Sequence, residues 1–188
     1  MALAMKIVTF TLLLSASTVC AGQSLAVDPH LRTNDSRLRE TLALGRATSP
    51  TLRQIIDEID RSDVVAYIRF EHQPPHVAAH VSFMALAGGR RYLHVGVDQS
   101  LRGAELIGIL AHELQHAAEI ARDRSVVDVA TLRTLYARIG FAAGNDLRAE
   151  RFDSSAAIDA GKRAAKEMLE AAATTPTITS HDRYGSVR

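Results

Sequence analysis

"GILAHELQHAAEIA", residues 108–121, carries two histidines four positions apart, with a glutamate directly after the first. Read as a helix, it puts His112 and His116 one turn apart, so both imidazoles leave the same face about 6 Å apart along the axis. Two neutral ring nitrogens placed that way can meet one Zn²⁺ at about 2.0–2.1 Å each. Glu113 lies about 100° round the helix from His112, close enough to hold a water at the metal without being a ligand. Zinc lowers the pKa of such a water towards neutrality, and the carboxylate takes its proton as general base. The H-E-x-x-H spacing therefore encodes metal-assisted hydrolysis.

An ordinary core helix could carry the same letters, and the context decides between the two. Residues 106–121 contain no proline, lysine or arginine, and Leu114, Ala117 and Ala118 keep the segment apolar. A helix apolar around most of its circumference is a buried one, and each buried histidine needs a polar partner. One shared metal satisfies both rings at once. Two separately hydrogen-bonded core histidines need two independent arrangements.

Upstream of the motif, strand chemistry dominates. "VVAYIRF" (64–70) is rich in β-branched and aromatic residues and ends at the turn-forming "EHQPPH". "HVSFMAL", "AGGR" and "RYLHVGV" form a hairpin pattern with Gly88 and Gly89 at the bend. Two to three antiparallel strands are thus expected before the motif helix, which runs from Ala104 to about Arg122. Further upstream, "SRLRETLALGRA" reads as a short helix. In "SPTLRQIIDEIDRS" Ser49 can cap, Pro50 suits the first helical position, and Leu52, Ile55, Ile56 and Ile59 make one apolar stripe. Downstream, "VVDVATLRTLYARI" is amphipathic with Gly140 at its end. Residues from Leu147 to Ala172 read as one long helix with Gly161 as a soft spot. The class is α+β, with a small antiparallel sheet or hairpin packed on a helical core that contains the motif helix.

The ends of the chain read differently. "MALAMK", the apolar "IVTFTLLLSASTV" and the small residues around Val19 and Ala21 have the layout of a secretory signal peptide, 1–21, too short for a comfortable membrane span. Residues 22–34 then form a polar leader, 35–173 the domain and 174–188 a flexible tail. A secreted or periplasmic protein is expected; a retained N-terminal anchor facing outside is the alternative. Cys20 is the one cysteine among 188 residues and falls within the signal segment, so disulfides are excluded and histidines and carboxylates must supply any metal ligands. A formal net charge of +1 gives no reason to expect nucleic acid or an anionic membrane as partner.

"ILAHELQHAA" resembles the active-site helix of zincin metallopeptidases, with uncharged residues flanking both histidines. The metzincin branch needs a glycine and a third histidine further on, where this chain has Glu119 and Arg122. The order of hairpin, motif helix and later carboxylate looks more like the gluzincins, in the compact style of CAAX-protease-like enzymes. It is also similar to small exported bacterial proteins that carry the same HELQHA helix. The resemblance implies Zn²⁺ as cofactor, a peptide or protein substrate, and Glu113 as catalytic base.

A catalytic zinc takes three protein ligands and one open position. "LRAERFDSSAAIDAG" offers Glu150 and Asp153, three apart and so on one face of the expected helix. Ala156 and Ala157 behind Asp153 would let that helix approach the motif closely, which favours Asp153; Glu150, followed by Arg151 and Phe152, is the alternative. Glu119 lies roughly 10 Å along the axis from His112, too far to share the metal, and suits an outer role accepting a ring N–H. Asp123 reads as the solvated helix end. His80 and His94 could border a cleft from the hairpin strands. Tyr92 and Tyr136 could donate to an oxyanion but are assigned no role. The reading from a different class is an exported zinc-binding or structural protein whose H-E-x-x-H site does not turn over.

Overall fold

A computed structural model describes residues 30–142 and 151–174. The chain is a mixed α+β domain in which one four-stranded sheet carries its helices on one face. Strand β1 (Leu31–Arg32) precedes helices α1 (Ser36–Thr48) and α2 (Pro50–Asp60). Strands β2 (Val64–Glu71), β3 (Ala79–Ala87) and β4 (Arg90–Asp98) follow, then the motif helix α3 (Gly103–Arg122) and α4 (Val129–Ile139). The short strands β5 (Phe141–Ala142) and β6 (Phe152–Asp153) pair with each other before α5 (Ser155–Thr174).

Local chemistry accounts for most of these elements. Ser49 Oγ accepts from the Leu52 amide and Pro50 opens α2, whose Leu52, Ile55, Ile56 and Ile59 are all buried. Gly88 and Gly89 have φ of 57° and 72°, the left-handed pair that a two-residue hairpin turn between right-twisted strands requires. The β3–β4 hairpin is antiparallel, as its pattern predicts.

The sheet corrects the expectation of wholly antiparallel strands. Its order is β1-β2-β4-β3, with β1–β2 and β2–β4 parallel. The β2–β3 connection carries Pro74 and Pro75 and is too long for a tight hairpin. It crosses to the edge, and β4 returns between β2 and β3. Burial explains why β2 is interior, since Val64, Val65, Ala66 and Ile68 are buried on both faces of the strand. The segment expected as a polar leader also ends differently, because Leu31 is buried in the sheet and the His30 ring lies 2.7 Å from the Val64 carbonyl. The signal segment lies outside the described residues, as does nearly all of the tail; no helix among the described residues is long and apolar enough to cross a membrane.

Helix α3 crosses the middle of the core and is held at its end by Arg91. That guanidinium, 1% exposed, grips Asp63 through Nε and Nη2 at 2.9 and 2.5 Å. It also donates to the last carbonyls of α3, those of Ile120 at 2.6 Å and Ala121 at 3.2 Å, and to Asp123 at 2.7 Å. A cation at a helix C-terminus suits the dipole and satisfies carbonyls with no intrahelical partner.

Helix α5 packs on α3 almost backbone to backbone. A Cβ on Gly161 would lie 3.0 Å from the Gly108 carbonyl oxygen and 3.3 Å from His112 Cβ, and Ala157, Ala160 and Ala164 are buried around the crossing. Gly161, read from sequence as a weak point, is the place of closest approach. Gly161→Val is expected to cost about 1–3 kcal/mol as overpacking, read as a lower urea midpoint, and to disturb His112 in the same step.

Candidate metal centre

His112 and His116 project from one face of α3 with ring centroids 4.9 Å apart and planes at 82°. Both Nε2 atoms turn towards one carboxylate oxygen, Asp153 Oδ1, at 3.3 Å from His112 and 3.5 Å from His116. The three ligand atoms lie within 4.8 Å of one another. Four ligands bound tetrahedrally at about 2.0–2.1 Å sit roughly 3.3–3.5 Å apart, so the donor set fits one zinc-sized ion.

Asp153 reaches this point by a route the sequence did not suggest. The helix expected from Leu147 begins at Ser155, and Asp153 stands in β6, paired with Phe141. Ser154 explains the late start, because its Oγ accepts from the Ala157 amide at 3.0 Å as a helix cap. The expectation that Asp153 sits on a helix face is therefore corrected. Small residues behind it do let α5 approach α3. Glu150 lies outside the described residues.

An outer layer orients the His116 ring. His116 Nδ1 is 2.9 Å from Glu119 Oε2, and Ser154 Oγ donates to Glu119 Oε1 at 2.6 Å. The Tyr136 hydroxyl, buried against the His116 ring, lies 2.9 Å from Nδ1 and donates to Glu119 Oε2 at 3.2 Å. With its Nδ1–H facing a carboxylate, the ring would offer a metal the lone pair of Nε2, the atom aimed at Asp153, in exchange for its second proton. Ser154 and Tyr136 are the participants that sequence reading left unassigned. A Ser-x-x cap signal before "AAIDA" was available for the first; nothing local pointed to the second.

Burial pushes the Glu113 carboxyl up to about 7, with the Asp153 charge adding to the effect and His116 opposing it. It makes no hydrogen bond among the described residues. Burial opposes charge on His116, but bonds to Asp153 and Glu119 outweigh it and raise the ring to about 9. His112 is lowered, first by burial and then by repulsion from His116. Asp153 and Glu119 lie below the usual carboxylate range despite burial, because histidine neighbours favour their charged forms.

These shifts give a signed expectation for the metal-free protein. His116 and Glu113 hold protons more tightly folded than unfolded, so their stabilising contribution is complete below 6.5 and 4.5 respectively and is lost as pH rises through about 9 and about 7. His112 acts oppositely, but only below its ordinary value of 6.5. Between pH 6.5 and about 9 the metal-free domain should therefore lose thermal stability, and added Zn²⁺ should raise Tm more at pH 8.5 than at 6.5. A metal-free Tm that climbs across that interval contradicts the arrangement.

The centre lies in a cleft of about 660 Å³ whose walls include Val81 and Phe83 of β3, Ile109 of α3, Leu132 of α4 and Phe152. His80 borders the cleft, as its strand position suggested; His94 and Tyr92 do not. Tyr92 stacks on Tyr67 at 6.3 Å, on the sheet face away from the helices. Asp123 ends α3, accepting from Ser125 and paired with Arg138. No protein-family model matches this chain, and comparison with curated proteins and with solved structures gives no match.

Proposed function

We propose that the chain is an exported zinc-dependent metallopeptidase of zincin type, with His112, His116 and Asp153 holding the metal and Glu113 as general base. The observation that carries this reading is the convergence of the three ligand atoms beside a buried carboxyl with no hydrogen bond among the described residues, all opening on one cleft. Zinc in this set would polarise a carbonyl and acidify water. Glu113 takes the proton of the attacking water on its carboxylate and returns it to the leaving amine nitrogen. Burial raises this carboxyl in the metal-free chain, the direction that favours its holding a proton between the two transfers. Glu119, Ser154 and Tyr136 hold His116 in the required tautomer.

Peptide as substrate rests on the resemblance together with β3. That strand is the sheet edge among the described residues and forms a wall of the cleft, so an extended chain laid beside it can pair with backbone groups that no described strand uses. The aliphatic and aromatic lining favours apolar side chains in the adjoining subsites.

The test is hydrolysis of a mixed-sequence peptide library by the zinc-loaded full chain. Cleavage that stops on chelation and is absent in His116→Ala is the expected result. A fully loaded protein that cleaves no member would leave the metal-binding assignment standing and remove the peptidase.

A further inference from the structure

The sheet face away from the helices carries a second convergence of ligand atoms. We propose a second divalent-metal site there, formed by Glu71, His80 and His94, independent of the histidines of α3 and suited to Zn²⁺ or a similar borderline cation.

The three residues come from adjacent strands. Leu93 and Val95 of β4 are buried in the core, so His94 and Gly96 point to the other face. His80 of β3 pairs in register with Gly96, and Glu71 ends β2 on the far side of β4. Glu71 Oε1 lies 3.6 Å from His80 Nε2 and 3.9 Å from His94 Nε2, and the three ligand atoms are all within 4.8 Å of one another. These separations are too long for hydrogen bonds. They exceed the spacing of about 3.3–3.5 Å around a tetrahedral zinc by only tenths of an ångström for Glu71, a distance that side-chain rotation covers.

Two further features argue for a cation. Gln73, 5% exposed, donates from Nε2 to Glu71 Oε1 at 3.2 Å and places its Oε1 3.2 Å from His80 Nδ1. A carboxylate only accepts, so the amide nitrogen must face Glu71 and the amide oxygen must face His80. Nδ1 then carries the ring proton, and the lone pair of Nε2 points at a carboxylate oxygen. Two acceptors facing each other need a positive charge between them, and burial of His80 disfavours supplying it as a second ring proton, which leaves a metal cation. The second feature is Gly96. A Cβ there would overlap the Glu71 carboxylate and come within 2.6 Å of His80 Cε1. Glycine inside a strand is unfavourable without such a reason, and here it leaves the space in which the ligands meet.

An ion here would tie the edge strand β3 to β2 across β4. His80 also borders the cleft, so loading would steady the wall beside which a substrate lies; this consequence alone rests on the peptidase reading.

The test is titration of chelator-stripped full-length protein with ZnCl₂ alone, counted by native mass spectrometry. Wild type should take two ions per chain, and His80→Gln or His94→Gln one. Both side chains are partly exposed, 43% and 24%, so these variants are expected to fold. The His112→Asn/His116→Asn double variant should keep one ion. Gly96→Ala, which retains every ligand, should weaken the second ion at least 10-fold. A wild type that takes one ion, lost in the double variant and kept in His80→Gln, overturns the proposal. One ion lost in His80→Gln and kept in the double variant would support this site and count against the one on α3.

Discussion

Replacing Glu113 by glutamine is expected to leave zinc content unchanged and to lower peptide hydrolysis by about 10²–10⁴-fold, the usual worth of a positioned general base. The amide has nearly the same shape but cannot accept a proton. Glu113 makes no hydrogen bond among the described residues, so the substitution breaks no network. Burial already holds the carboxyl up to about 7, and a neutral amide in its place should make the metal-free variant more stable than wild type above that pH. Loss of turnover, retained metal and a gain in alkaline stability form a combined signature. General damage to the fold would lower all three. Undiminished hydrolysis would remove Glu113 from the mechanism.

The second large effect is structural. Arg91→Met should cost about 3–5 kcal/mol, the range for breaking one side of a buried ion pair, measured as a shift of the urea midpoint at unchanged slope. Methionine keeps most of the bulk but abandons the Asp63 carboxylate and the carbonyls of Ile120, Ala121 and Asp123. Asp63 is 36% exposed and can rehydrate, which points to the lower end of the range. Arg91→Lys keeps the charge without the planar fork and should fall between the two. An Arg91→Met protein as stable as wild type would show that α3 needs no such clamp.

The elements fixed by local chemistry were readable from the sequence. The Ser49–Pro50 helix start, the Gly88–Gly89 turn and the solvent-poor helix around His112 and His116 each follow from residues close together in the chain. What escaped depends on distant partners. The insertion of β4 between β2 and β3 is a choice among strand neighbours, and alternation within one strand carries no record of it. Asp153 could be named as a ligand candidate because small residues follow it, yet its place in a strand before the helix turned on the cap at Ser154. Arg91 has no signal of its role in the sequence, since nothing nearby tells that the end of α3 packs over it. Tyr136 meets His116 only because the chain turns back after α3 and brings this side chain of α4 against that ring.

Ser154 links two events that are usually separate. Its hydroxyl caps the last helix and holds Glu119, while its own amide donates to Asp153 Oδ1 at 2.7 Å. Docking of α5 and completion of the ligand set thus become one cooperative step, closing a loop of roughly 40 residues whose entropic cost grows only slowly with length. On the metal reading, two ligands stand ready on α3 as soon as that helix forms, and the third arrives only with the segment that leads into α5. If the centre holds an ion, a chain emerging N-terminus first would bind it weakly until α5 docks, then lock ion and helix together.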